Sequence, residues 1–167
     1  MKRLISSSAI QKRIKVLAKR IEKDYKGKTP VFLCVLNGAF MFLSDLIKEV
    51  NLDVEVSFIK LSSYRDSKTS AGKIDILQEL NNDISRKDII IVEDIVDTGL
   101  TIKFLKQILK KYKPSSVRIA TLLHKTEVSK IDFKIDYVGF EIENKFVVGY
   151  GLDYAQKYRN LKAIYVV

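Results

Sequence analysis

Apolar residues recur along this chain in two registers, one at helical spacing and one in short unbroken runs, and their alternation lays out most of the molecule. Ile10, Ile14, Leu17 and Ile21 fall on one stripe within Ala9 to Asp24, with lysines and arginines opposite, which predicts an amphipathic helix capped by Ser7 or Ser8. After Gly27 and Pro30, the run Val31 to Leu36 reads as a buried strand, and Gly38 opens a second helix through Phe40, Leu43, Leu46 and Ile47. Val54, Val56, Phe58 and Leu61 predict a further strand. Ile74 to Leu77 is a short one, followed by polar residues 81 to 83. Ile89 to Val92 is wholly apolar and β-branched, as expected of a strand covered on both faces of a parallel sheet, and it stops abruptly at Glu93 and Asp94. Ile102, Leu105, Ile108 and Leu109 mark the next helix, which ends at Pro114. Val117 to Leu123, Asp136 to Phe140, Phe146 to Tyr150 and Ala163 to Val167 are the remaining strands.

Strands alternating with helices over the first two thirds predict an α/β fold, whose ligands bind beyond the carboxyl ends of the strands. Asn37, Ser63, Glu93 to Thr101 and Lys125 all fall at such ends. Ser62 to Gly72 has no sizeable apolar residue except Tyr64 and reads as a long loop, with a lid favoured over an idle insertion. The length of 167 residues predicts one domain spanning 1–167, without repeats or linker.

Composition changes this picture little: 47% hydrophobic and 30% charged residues are ordinary for a globular protein. No apolar run is long enough to cross a bilayer and the first residues lack a signal peptide's apolar middle, so a cytoplasmic, membrane-free protein is expected. The net charge of +10 would suit nucleic acid or a polyanionic small substrate. Lysines and arginines are scattered, and the dense stretches Lys12 to Lys28 and Lys103 to Lys113 follow helical spacing, as solvated helix faces do, so nucleic acid is disfavoured. Cys34 lies inside an apolar run as a buried strand residue, and His124 has no metal-ligand partners at workable spacing and reads as structural.

The chemistry concentrates in Ile89 to Thr101. Asp97-Thr98-Gly99-Leu100-Thr101 is a small, hydroxyl-bearing turn at a helix start, where backbone N–H groups lack internal partners and favour an anion, phosphate above all. Glu93 and Asp94 beside a phosphate site make sense if the ligand also brings a vicinal diol and a divalent cation. The plainer alternative is an acidic turn with Asp97 as N-cap.

VEDIVDTGLT, Val92 to Thr101, resembles the phosphoribosyl pyrophosphate signature of type I phosphoribosyltransferases. KFVVGYGLDYAQKYRNL, Lys145 to Leu161, resembles the hypoxanthine-guanine branch in particular, and LNGAF at Leu36 and LSSY at Leu61 spread the likeness over nearly the whole chain. The resemblance implies the type I phosphoribosyltransferase fold, a central mostly parallel sheet flanked by helices, with a small hood and a flexible lid loop. It implies transfer of the 5-phosphoribosyl group from phosphoribosyl pyrophosphate to hypoxanthine, and to guanine, in purine salvage, with Mg2+ as cofactor and a homodimer or homotetramer as assembly.

The resemblance also distributes roles. Asp97, Thr98, Gly99, Leu100 and Thr101 would hold the 5'-phosphate, and Glu93 and Asp94 the ribose diol, directly or through Mg2+. Asp97 would be the general base near the purine, with Lys125 beside it. Lys145 would donate to the 6-oxo group, Phe146 stack on the purine, and the Val147 carbonyl accept from its edge. Asp153 would hold a second Mg2+ beside the purine and pyrophosphate, and Arg159, with the backbone at Asn37-Gly38, would hold the pyrophosphate. The family commonly has lysine where this chain has Asn37, at a peptide often found cis. Ser63 and Tyr64 would belong to the lid. Two alternatives stand beside this reading: an RNA-binding regulator on the same fold, against which retention of both a purine clamp and a pyrophosphate clamp argues, and a xanthine-preferring enzyme, since xanthine also carries the 6-oxo group.

Overall fold

A computed structural model describes residues 1–64, 73–80 and 83–167. Nine strands and three helices follow one another as β1 (Lys2–Ile5), α1 (Ser7–Asp24), β2 (Val31–Leu36), α2 (Phe40–Glu49), β3 (Glu55–Tyr64), β4 (Lys73–Gln78), β5 (Asp88–Val96), α3 (Leu100–Lys110), β6 (Ser116–Lys125), β7 (Tyr137–Ile142), β8 (Val147–Val148) and β9 (Ile164–Val166) among the described residues. Six strands form one sheet in the order β4-β3-β2-β5-β6-β7. It is parallel throughout except for the antiparallel edge pair β3-β4. The expected α/β architecture is therefore present, and no described helix is long and apolar enough to cross a membrane.

The unbroken apolar runs are explained by helices on both faces. Phe32 and Cys34 of β2 and Ile90 and Val92 of β5 pack with α1 and α2. Val31, Leu33 and Val35, with Ile89 and Ile91, pack with Ile102, Leu105 and Leu109 of α3. A period of two thus serves two cores, and no position on these strands is left for a polar residue until the strand leaves the core. Cys34 is fully buried with its thiol pKa pushed up to about 12, by burial first and then by the charges of Glu93 and Asp94, which makes it an inert packing residue.

Several boundaries differ from the expectation. Helix α1 is capped by Ser6, whose Oγ accepts from the Ala9 N–H at 3.2 Å, while Ser7 and Ser8 lie inside the first turn. Strand β5 does not end at Glu93 but runs through both acids to Val96, because the ladder with β6 continues past them. Ser62, Ser63 and Tyr64, expected in the loop, are the last residues of β3, paired with β4. Residues 65–72 of the expected lid lie outside the described residues. Strand β1, unanticipated, joins β9 and β8 in a separate antiparallel sheet. Its four residues bury only Ile5, too little signal to read in advance.

This smaller sheet runs on into residues 149–161, which are tied to the helical layer through Asp45. Its carboxylate accepts from the Tyr150 hydroxyl, from Gln11 Nε2 at 2.8 Å and from Lys48 Nζ at 2.8 Å. Burial pushes the Asp45 pKa up, but the bonds from Lys48, Tyr150 and Gln11 outweigh it and hold it below the usual range. A lowered native pKa stabilises above the unfolded value, about 3.9, and that stabilisation is lost as pH falls through the native one. The difference in melting temperature between the wild type and Asp45→Asn is therefore expected to be constant near neutrality and to close below about pH 4.

Candidate active site

The order of the strands locates the site. From β2 the chain proceeds outward to β3 and β4, whereas from β5 it proceeds the other way to β6 and β7. The carboxyl ends of β2 and β5 flank the point where the order reverses, and there an open α/β sheet leaves a crevice. Asn37-Gly38 follows β2, and Glu93 to Thr101 spans the end of β5 and the start of α3.

The turn between β5 and α3 is shaped by Gly99, which has φ +86° and is the helix N-cap without a side-chain cap bond. Only glycine suits it, since a Cβ there would also overlap Ile131. Asp97 is not the cap, so the plainer alternative for it fails. The first helical bond is Lys103 N–H to the Gly99 carbonyl at 3.0 Å, which leaves the N–H groups of Thr101 and Ile102 ahead of it without a helical acceptor. Residues Asp97 to Ile102, with Glu93 behind them, surround a cup of about 70 Å³ suited to one phosphate group.

Glu93 is only 7% exposed and its Oε2 is buried without a hydrogen-bond partner. Burial, and then the charge of Asp94 and the hydrogen bond between them, pushes the Glu93 pKa well above the ordinary carboxylate range. Asp94 is also raised by burial, against the pull of its hydrogen bonds and of the Arg159 charge. A buried, mutually repelling acid pair with one oxygen unclaimed is suited to receive a hard cation or a donor pair such as a diol. Among the described residues no group of three or more His, Cys, Asp or Glu side chains is placed to hold a metal ion.

The loop after β2 and residues 151–159 gather beside Asp94. The Leu36–Asn37 peptide is cis, as the family likeness implied. A Cβ on Gly38 would overlap the Asp94 carboxylate, and one on Gly151 would overlap the Gly38 carbonyl. Arg159 donates from Nη1 to the Gly151 carbonyl at 2.8 Å and from Nη2 to Asp153 Oδ1 at 2.9 Å. Asp153 Oδ2 accepts from the Gln156 N–H at 2.8 Å, so both its oxygens are engaged.

Beside these groups a cleft of about 420 Å³ is walled by Asp94, Ile95, Asp97, Lys125, Phe146 and Asp153, with Asn144, Val147 and Leu152 completing it. The ladder between β5 and β6 pairs Val96 with His124, which brings Asp97 beside Lys125, and Lys125 Nζ donates to Asp97 Oδ2 at 3.2 Å. Lys125 is 8% exposed, whereas Phe146 stands 52% exposed at the cleft wall. Asp97 and Ile95 line both cup and cleft, which are thus neighbours.

Lys145 is the residue the structure does not bring in. Its ammonium pairs with Glu143 at 2.6 Å and lines a separate hollow with Leu4 and Ile142, outside the cleft that its neighbours Asn144 and Phe146 enter. The reason is local: the chain turns here, the Lys145 N–H donating to the Glu143 carbonyl at 2.7 Å, and the Glu143 carboxylate holds the ammonium on that side. Asn144 and Gly151, in turn, escaped the sequence reading. No spacing rule marks Asn144, and Gly151 betrays itself only through its close approach to Gly38.

The fold and this paired cup and cleft define a phosphoribosyltransferase. The phosphoribosyl transferase domain model matches residues 2–155. Hypoxanthine-guanine phosphoribosyltransferase of Bacillus subtilis is 43% identical over 164 residues, 98% of this chain and 91% of that protein. A crystal structure of a hypoxanthine-guanine phosphoribosyltransferase from Bacillus anthracis superposes with a TM-score of 0.95 at 43% identity, covering 100% of this chain and 98% of that one. A hypoxanthine phosphoribosyltransferase structure from Staphylococcus aureus gives 0.95 at 40% identity, covering 100% and 91%. The chain belongs to the hypoxanthine-guanine phosphoribosyltransferase family.

Because Gly38 and the Asp94 carboxylate share one space, Gly38→Ala must displace either the carboxylate or the loop after β2. The expected outcome is a KM for phosphoribosyl pyrophosphate raised roughly tenfold or more, with a smaller change for the purine, measured by steady-state kinetics.

Proposed function

We propose that the protein transfers the 5-phosphoribosyl group from phosphoribosyl pyrophosphate to hypoxanthine and guanine, forming IMP and GMP and releasing pyrophosphate, in purine salvage. The observation that carries this reading is the junction at Asp97: one residue lines both the phosphate-sized cup and the cleft that holds Lys125 and Phe146. In the reaction the bond from C1 of the ribose to pyrophosphate breaks, a bond from C1 to a purine ring nitrogen forms, and the purine gives up one proton.

The cup takes the 5'-phosphate on the backbone N–H groups of the α3 start and the hydroxyls of Thr98 and Thr101. Glu93 and Asp94 take the ribose diol, directly or through Mg2+, and the ion supplies compensation for charge growing on the leaving pyrophosphate. Arg159 and the backbone at Asn37-Gly38 face that leaving group, and Asn37 brings no positive charge of its own. Asp153 has two oxygens committed to Arg159 and Gln156, so its support for this reading is as a brace at the cleft wall, with lone pairs left for a purine edge or a second ion. Phe146 offers a face for stacking.

Asp97 accepts the purine proton, and the adjacent ammonium of Lys125 stabilises negative charge growing on the base. Lys125 rather than Lys145 is the donor suited to the 6-oxo group, since its ammonium lines the cleft. Adenine carries an amino group there and meets donor against donor, whereas xanthine shares the oxygen. A cytoplasmic place for the reaction belongs to the same reading, because the charge on phosphoribosyl pyrophosphate forbids unaided passage through a bilayer. So does a homodimer or homotetramer, in which a second copy could cover the exposed rings of Phe40 and Phe58.

The test is a spectrophotometric assay of hypoxanthine, guanine, xanthine and adenine, each with phosphoribosyl pyrophosphate and Mg2+. Turnover of the first two, no turnover of adenine, and loss of activity on chelation with recovery on adding Mg2+ are expected. Adenine as the preferred base, or no pyrophosphate released with any of them, overturns the assignment.

A further inference from the structure

Phe146 is accompanied at the cleft wall by a second ring. Tyr154 stands against it with centroids 5.7 Å apart and planes at 86°. Both rings are more than half exposed, Phe146 at 52% and Tyr154 at 56%, so the contact is not a by-product of core packing. Tyr154 does not itself line the cleft.

What presents Tyr154 is an unusually constrained turn. Tyr154 and Lys157 exchange backbone hydrogen bonds at 3.1 and 3.0 Å around Ala155 and Gln156. Those two residues have φ of 50° and 65°, the left-handed pair that a two-residue hairpin requires and that asparagine and glycine normally supply. Tyr158 follows at φ 75°. Alanine and tyrosine are poor residues for this backbone, and such strain persists only where surrounding bonds hold it. Asp153 supplies those bonds, accepting from the Gln156 N–H at 2.8 Å and pairing with Arg159 at 2.9 Å.

We propose that Tyr154 is a positioning residue for the base: the clamped turn holds its ring perpendicular to Phe146, so that Phe146 keeps one orientation at the cleft wall before a purine arrives. A half-exposed phenylalanine without such a neighbour exchanges rotamers within nanoseconds, and part of the stacking energy then goes into ordering it. The inference rests on the cleft being a 6-oxopurine site.

Titration calorimetry of the full chain with IMP and with ribose 5-phosphate separates the possibilities. Tyr154→Ala is expected to weaken IMP roughly threefold to tenfold while leaving ribose 5-phosphate within about twofold of wild type. Tyr154→Phe should retain wild-type affinity for both, because the contact needs the ring and not the hydroxyl. In a Phe146→Leu background, Tyr154→Ala should change IMP binding no further. Equal weakening of both ligands, an unchanged IMP affinity, or the same loss in the Phe146→Leu background overturns the positioning role alone. Wild-type protein that binds ribose 5-phosphate but gains nothing from the base of IMP overturns the 6-oxopurine reading beneath it.

Discussion

Asp97→Asn is expected to lower kcat for hypoxanthine by about two orders of magnitude, with little change in melting temperature. Asparagine has the same shape, and Asp97 is 42% exposed, so neither packing nor burial penalises the exchange. On the proposed mechanism, what is lost is the acceptor for the purine proton, together with the charge that holds Lys125 Nζ at 3.2 Å. On that mechanism the effect of Asp97 depends on the proton leaving a base whose developing charge Lys125 stabilises. KM for phosphoribosyl pyrophosphate should move little, because the proposed phosphate contacts in the cup are backbone groups that the substitution leaves alone. Turnover within about threefold of wild type would show that another group takes the proton.

Lys125→Met should be comparably damaging and more selective. Its ammonium is almost wholly enclosed, so a ligand oxygen that it serves is desolvated, and removing the donor leaves that oxygen unpaired in a confined cleft. The expected loss in kcat/KM for hypoxanthine and guanine is roughly a hundredfold or more. Lys145→Ala is expected to stay within about threefold, because the pair it breaks with Glu143 is exposed on both sides and worth little. The comparison is made with both variants against the same bases. A Lys145→Ala defect as large as that of Lys125→Met would restore Lys145 as the 6-oxo donor and refute the arrangement of the cleft described above.

That pair of lysines shows where residue patterns reach their limit. Both follow apolar strand residues or precede them, both are basic, and KFVV is the more distinctive string, so the motif favoured Lys145. Which ammonium enters the cleft is decided by side-chain direction at a chain turn and by the register of β6 on β5, and neither is written in spacing. Strand β1 was missed for a related reason: with only Ile5 buried it has no periodicity of its own, and its pairing with β9 comes from the far end of the chain.

The residues by themselves determined the α/β class, the two-faced burial of β2 and β5, the amphipathic faces of α1 and α3, and the phosphate-ready turn at Gly99. All of these are local, because they depend on side-chain period, chain stiffness and the unpaired N–H groups of a helix start. Only the tertiary structure decided that Gly38 leaves room for the Asp94 carboxylate, that Gly151 leaves room for the Gly38 carbonyl, and that Asp97 meets Lys125. Those contacts join residues tens of positions apart, and strand order, ladder register and packing, which act between elements, set them.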